Sequence, residues 1–248
     1  MQGPAVPVRL AELRSPQIAQ LVAGGQPLCV LPVGATEQHG PHLPTGTDSM
    51  IAGALCDAAS ERTGVPLLPT LWVSSSHAHT AAWPGTVSLP PRAVIALVHA
   101  IAQWVASSGF TKLLIVNAHA GNGGVLKVAV EEIRHDGLVR PGLLHWYELD
   151  GVRDRVRADA SDWHANAAET SLMLHLHPDL VDRASIRDDP DRTEGRLLSY
   201  TVRETSREGH TGAPSQATAA EGESLFATAV EELAAAFDRA RAEEPPTL

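Results

Sequence analysis

The chain has 248 residues, 44% hydrophobic and 19% charged, with a formal net charge of −10. This composition suits a soluble globular protein, and the length favours one α/β domain over residues 1–248 rather than two. The acidic balance argues against a nucleic-acid surface, which needs clustered Lys and Arg. No basic-then-apolar leader and no run of about 18 apolar residues is visible, so no signal or membrane span is expected and the reading is cytoplasmic. Two cysteines, Cys29 and Cys56, fall in apolar segments and are expected to be buried free thiols rather than a disulfide or ligands. Twelve histidines against two tyrosines and three phenylalanines direct attention to ligand chemistry.

Residues 9–23 suggest a short helix, interrupted near Pro16 and closed by Gly24 and Gly25. The apolar run 27–33 reads as a buried strand. Beyond its end, LPVGATEQHGPHLPTGTD (residues 31–48) crowds Glu37, His39, His42 and Asp48 into a loop rich in glycine and proline. Open α/β sheets place their chemistry beyond the carboxyl ends of strands. Glu37 and His39 are two apart, so extended backbone can project them to one side. Such oxygen and nitrogen donors suit a borderline divalent ion, namely zinc, manganese or iron. Asp48 and Ser49 also stand where a helix N-cap belongs, before a helix that ends at Gly64.

A second strand is expected at 66–73, then a loop from Ser74 to Pro90 carrying His77, His79 and Trp83. Pro91 opens an amphipathic helix to Ser108, with Gly109 as its stop and His99 as a structural residue inside it. A third strand, 112–116, is apolar throughout and so buried on both faces. It runs into NAHAGNGG (117–124), where His119 stands at the strand end before a helix over 125–135. These glycines lack both the Rossmann fingerprint spacing and the Lys-Ser/Thr of a P-loop, which rules against nucleotide binding. A fourth strand is expected at 142–148, and a helix over 165–175 with His164 just before it and Glu169 in its first turns. The five-residue separation of His164 and Glu169 is not that of HExxH. His175 and His177, at the far end of that helix, read as structural. Residues 188–208 are highly charged and read as exposed, 209–218 as a loop that could fold over a site, and 221–243 as a closing helix before a frayed tail. Alternating strands and helices point to a mostly parallel sheet with helices on both faces.

Three separated segments, VGATEQHGPHLPTGTD (33–48), LLIVNAHAGN (113–122) and HANAAETSLM (164–173), together resemble the creatininase (creatinine amidohydrolase) family. TAAWPGTVSL (80–89) and GHTGAPSQATAAEG (209–222) are similar to family segments as well. The resemblance implies a three-layer, Rossmann-like α/β/α fold, a homohexamer, and two divalent metals bridged by a carboxylate. It implies that Glu37 and His119 bind one metal, that His39 binds the other, and that Asp48 bridges both. Creatinine-hydrolysing members carry an aromatic and a glutamate after the histidine of the third strand, where this chain has Ala120 and Gly121. The departure removes one carboxylate and one wall of the pocket, which argues against creatinine as substrate and makes Glu169 the nearest group to complete the second metal.

The function this implies is hydrolysis of a C–N bond in a small, cyclic or acyclic amide, with two cations sharing a water whose pKa falls towards neutrality. His164 is the expected general acid/base. Glu169 either ligates or orients His164, and His79 and Asn117 are expected either to contact substrate or to support the ligands from behind. Competing readings are a metallopeptidase acting on a modified peptide precursor in redox-cofactor maturation of the mycofactocin type, a formamide hydrolase, and a non-catalytic assembly protein that keeps metal for stability.

Overall fold

The computed structural model describes residues 6–79 and 83–246. Part of the family-like segment 80–89 and the last two residues of the tail therefore lie outside the described residues. Three strands, β1 (Leu28–Val33), β2 (Lys112–Asn117) and β3 (Arg140–His145), form a parallel sheet in that order. Their register puts Val33 opposite Asn117 and Asn117 opposite His145. All three strands therefore discharge their following loops at one edge.

Alternate residues of β1 and β2 enter two different cores, as the period of two requires. Leu28, Val30, Leu114 and Val116 face α2 (Thr47–Thr63), α6 (Ala167–Leu176) and α8 (Ala219–Ala242). Cys29, Leu31, Val33, Leu113 and Ile115 face the other way, towards α3 (Pro91–Ser107) and α4 (Gly123–His135), with α1 (Ser15–Ala23) at the margin. This is a three-layer α/β/α arrangement, and it explains why the strands are apolar runs rather than alternating ones. Cys29 and Cys56 are buried and unpaired with each other. Among the described residues no helix is long and apolar enough to cross a membrane.

Several boundaries differ from those expected. Residues 66–73 do not form a regular strand. The segment lies beside β1 and bonds to it at Leu68 and Leu71, with bridges at Leu67 and Leu71. Pro66 and Pro69 have no N–H to give, so the ladder cannot run on. Pro16 does not interrupt a helix. It sits in the first turn of α1, where a missing N–H costs nothing. β3 begins at Arg140 and stops at His145, because Trp146–Glu148 turn into a 3-10 helix.

Asp48 and Ser49 are not the cap of α2. Gly46 occupies that position and Asp48 lies inside the first turn, with no capping bond. Its carboxylate is thereby free for other work. Gly34 makes this placement possible: a Cβ there would lie 2.4 Å from both the Cα and the N of Ser49. The end of β1 and the start of α2 touch backbone to backbone, and Ser49 Oγ seals the contact by donating to the Ala35 carbonyl at 2.9 Å.

Candidate metal centre

The loops leaving β1 and β2 and the turn before α6 bring together Glu37, His39, Asp48, His119, His164 and Glu169, with His79 at the margin. Glu37, His39, Asp48 and Glu169 are each no more than 2% exposed, and His119 is 4% exposed. His119 Nδ1 lies 3.1 Å from Glu37 Oε1 and 3.4 Å from Asp48 Oδ2. His39 Nε2 lies 3.1 Å from Asp48 Oδ1 and 4.0 Å from Glu169 Oε1. Two ligands of one tetrahedral zinc stand about 3.4 Å apart, close to the three shorter separations, while His39 and Glu169 lie farther apart. Asp48 turns one oxygen to each group. Glu37–His79–His164, His39–His164–Glu169 and Glu37–His39–Asp48 each bring ligand atoms within 4.8 Å of one another.

The hydrogen bonds at the outer nitrogens decide what each ring presents inward. His39 Nδ1–H donates to the Glu37 carbonyl (3.0 Å), His119 Nε2–H to the Ser75 carbonyl (3.0 Å) and His164 Nε2–H to the Gln38 carbonyl (2.8 Å). A carbonyl only accepts, so each of these rings turns an unprotonated nitrogen to the centre when neutral. His79 is the reverse. Gln38 Nε2 donates to the Gly209 carbonyl at 2.7 Å and, with its second hydrogen, to His79 Nδ1 at 2.9 Å. His79 therefore carries its proton on Nε2, 3.7 Å from Glu37 Oε2. Three rings offer lone pairs and the fourth offers a hydrogen-bond donor.

Charge is concentrated where water cannot dissipate it. Burial pushes the Glu169 carboxyl up to about 7, in spite of His39 beside it. Burial likewise raises Asp48 against the pull of His39. Burial also opposes the charge on His39 and His119, yet the carboxylates facing them win and raise the rings to about 10 and about 9. Glu37 is held well below the usual carboxylate range against its own burial, by His119, His79 and His164. Burial drives His79 down to about 4 and His164 well below the usual imidazole value. Glu37 Oε2 and Asp48 Oδ2 receive no hydrogen bond although both are buried. Three carboxylates and two orphaned oxygens in one dry pocket require compensating positive charge. Protons on His39 and His119 supply part of it, and divalent cations fit the same donor set.

The backbone is strained at one point to build this centre. Ala165 has φ 50°, and among the described residues it is the only non-glycine at positive φ, a conformation that costs about 1–2 kcal/mol. The reversal aims the Ala165 N–H at Glu169 Oε2, 2.7 Å away. His164 is tied to Thr211 on both sides of its peptide, so the 209–218 loop does fold against the site. A cavity of about 310 Å³ opens above the cluster, walled by Trp163, Tyr200, Val202 and Thr205 among others. Larger hollows exist, such as an apolar groove of about 410 Å³ against Trp104, but that groove is lined by no ionisable side chain.

A family model described as creatinine amidohydrolase matches residues 11–237. The chain belongs to the creatininase family. The mycofactocin precursor peptide peptidase of Mycolicibacterium smegmatis is 34% identical over 91% of this chain and 89% of its own. The creatinine amidohydrolase of Pseudomonas putida is 29% identical over 97% of this chain and 98% of its own. A solved structure described as creatininase Mn has a TM-score of 0.82 at 28% identity, covering 96% of this chain and 100% of that one. Creatininase-family proteins are metal-dependent hydrolases, and the described residues of this member hold matching His and Glu groups.

At Gly121, where this creatininase-family member departs from the expected pattern, the present packing leaves no room for a side chain. A Cβ there would lie 2.4 Å from His119 Nε2 and 3.3 Å from the Ser75 carbonyl, so no carboxylate can grow from this position while His119 holds its place. Asn117 does not line the cavity. Its amide nitrogen meets the His119 carbonyl, His145 and Tyr147, and its oxygen accepts from the His119 and Asn122 nitrogens. It fixes the loop that carries His119. Residues 188–208 are not all exposed: Asp189 and Ser206 are buried, and Val202 and Thr205 are half-buried at the cavity wall beside the exposed Tyr200. His99 bonds Asp136 on the surface and His175 packs on Phe226, both away from the centre. Sequence reading missed Gln38, Trp163 and Tyr200. The sole available signal was that Gln38 lies between two candidate ligands.

Proposed function

We propose that this chain hydrolyses the C–N bond of an amide with two divalent cations, held by Glu37, His119 and Asp48 on one side and by Asp48, His39 and Glu169 on the other. The observation that carries this reading is the divided carboxylate of Asp48, one oxygen towards His39 and the other towards His119. Two cations there would neutralise the carboxylates, polarise the substrate carbonyl and supply a water of lowered pKa. His164 Nδ1 faces the centre 3.7 Å from Glu37 Oε1, with its other nitrogen anchored. It is placed to take a proton from the attacking water and return it to the departing nitrogen. His79 Nε2–H points inward and is suited to donate to the substrate carbonyl as negative charge develops on it. Trp163, Tyr200 and Val202 restrict water at the mouth.

Two substrate classes fit a C–N hydrolase of this family. Small lactams, ureides and formamides suit the enclosed cluster. An extended peptide precursor is favoured by a specific observation: Ala120 stands at the cavity wall where the creatinine-hydrolysing pattern has an aromatic, so no bulky side chain closes the cavity there. The mycobacterial peptide peptidases among its relatives support the same reading. Creatinine is disfavoured on the same ground. The test is to strip the metal, reconstitute with zinc, manganese or iron, and offer creatinine, small amides and peptides in parallel with mass-spectrometric detection. Metal-dependent cleavage of an amide or peptide is expected. A chain that binds two ions per molecule yet cleaves neither class would favour the assembly-protein alternative.

A further inference from the structure

His42 stands in the same loop as His39 and Asp48 but faces away from them. Its ring is buried, and its Nε2 lies 3.1 Å from the Ala165 carbonyl and 3.0 Å from Thr170 Oγ1. The carbonyl can only accept, so His42 carries a proton on Nε2 and donates it there. Its Nδ1 is buried without a hydrogen-bond partner, and the ring lies crosswise to His210 with centroids 5.2 Å apart. A solvent-averse ring with one satisfied nitrogen is an expensive way to fill a core. The bond that it does make is directed at a particular peptide.

That carbonyl belongs to the strained residue. Ala165 holds φ 50° between His164 and Asn166, and its own N–H is the donor that fixes Glu169 Oε2 at 2.7 Å. The backbone of His42 is itself held in place, since the Asp182 N–H donates to the His42 carbonyl at 2.9 Å. We infer that His42 is a positioning residue, clamping the left-handed turn at Ala165 so that Glu169 is presented to the second cation. Without the clamp, Ala165 relaxes to a right-handed or extended conformation, its N–H leaves Glu169, and the carboxylate no longer has one oxygen reserved for the centre. The inference rests on the proposed cation pair.

The test is a titration of the metal-free full chain with cobalt(II), read by visible absorption and by elemental analysis. His42→Leu keeps the bulk and deletes the donor, whereas His42→Gln places an amide N–H near the Nε2 position. Wild type is expected to bind two ions in two phases. His42→Leu should weaken one phase by at least about tenfold, the scale of lost groups behind a metal ligand, and leave the other in place, while His42→Gln returns close to wild type. Adding Ala165→Gly to His42→Leu should recover part of the loss, because glycine takes the left-handed turn without help. Two unaltered phases in His42→Leu, even with a lowered melting temperature, overturn the inference, as does equal loss of both. If His42→Leu does not fold, His42→Asn, whose amide is too short to reach Ala165, is read by the same outcomes. A wild-type chain that binds no cobalt refutes the proposed metal centre itself, which is a different result from an unaffected variant.

Discussion

His39 Nε2 and Asp48 Oδ1 meet at 3.1 Å although nine residues separate them along a loop that never forms regular structure until α2 begins. The contact exists because Gly34 lets the first turn of α2 lie against the end of β1, which carries Asp48 back over the loop. With Asp48 Oδ2 turned to His119, one carboxylate belongs to both halves of the centre. Asp48→Ala should therefore remove both metal ions together, taking elemental content from two per chain to near zero. A variant that retains one full equivalent would show that the two halves bind independently.

His164 has the opposite expectation. Its inner nitrogen is 3.7 Å from Glu37 Oε1, farther than the 3.1 Å between His119 and the same oxygen. His164→Ala should keep both metals and lower turnover by at least about 10²-fold, the scale of a missing general acid/base. Metal analysis and steady-state kinetics on the same preparation check it. Loss of a metal equivalent would make His164 a ligand, as its place beside His39 and Glu169 permits.

The metal-free chain should be most stable near pH 6.5 and weaken on both sides. His39 and His119 hold their protons to about 10 and about 9 when folded, against an ordinary value of 6.5. Their contribution is complete below pH 6.5 and is lost as pH rises through those folded values. His42 and His79, both lowered to about 4 by burial, stay neutral in the fold. As pH falls from 6.5 the unfolded chain takes protons that these rings refuse, and stability is lost on that limb as well. Glu169, raised to about 7, opposes the acid limb by a single proton. Metal replaces the protons on His39 and His119, so the loaded protein should keep its melting temperature between pH 7 and pH 10. Thermal melts with and without zinc across that range measure the difference, and coincident curves would refute the account.

The residues of the centre were legible because their chemistry is local. Glu37 and His39 alternate with Gln38, and the two candidate ligands are brought to one cluster with Asp48, as the period of two allows. What Gln38 does there could not be read, since its partners His79, His164 and Gly209 lie 41, 126 and 171 residues away. Tyr200 and Val202 were hidden by the opposite effect, a charged surrounding sequence that reads as solvated surface. The apolar strands β1 and β2 were visible as runs, whereas 66–73 looked like a strand until Pro66 and Pro69 are asked where their N–H groups go. For Asn117 the sequence leaves a substrate contact and a supporting role equally open, and its amide bonds the loop that carries His119.

Gly121 gives the sharpest test of how tightly the centre is built. Its added Cβ would enter the space of His119 Nε2, the nitrogen whose proton is held by the Ser75 carbonyl at 3.0 Å. The ring would have to rotate, drawing Nδ1 away from Glu37 Oε1 and Asp48 Oδ2 together. Gly121→Ala should thus weaken one of the two metal ions by at least about tenfold and cost about 1–3 kcal/mol of stability through overpacking. Gly121→Glu should do the same, and should not confer creatinine hydrolysis, because the new carboxylate arrives only by displacing a ligand. Metal titration with a thermal melt on Gly121→Ala decides the matter. Undiminished affinity for both ions would mean that the ring has room to move, and the missing carboxylate at 121 would then need an explanation other than sterics.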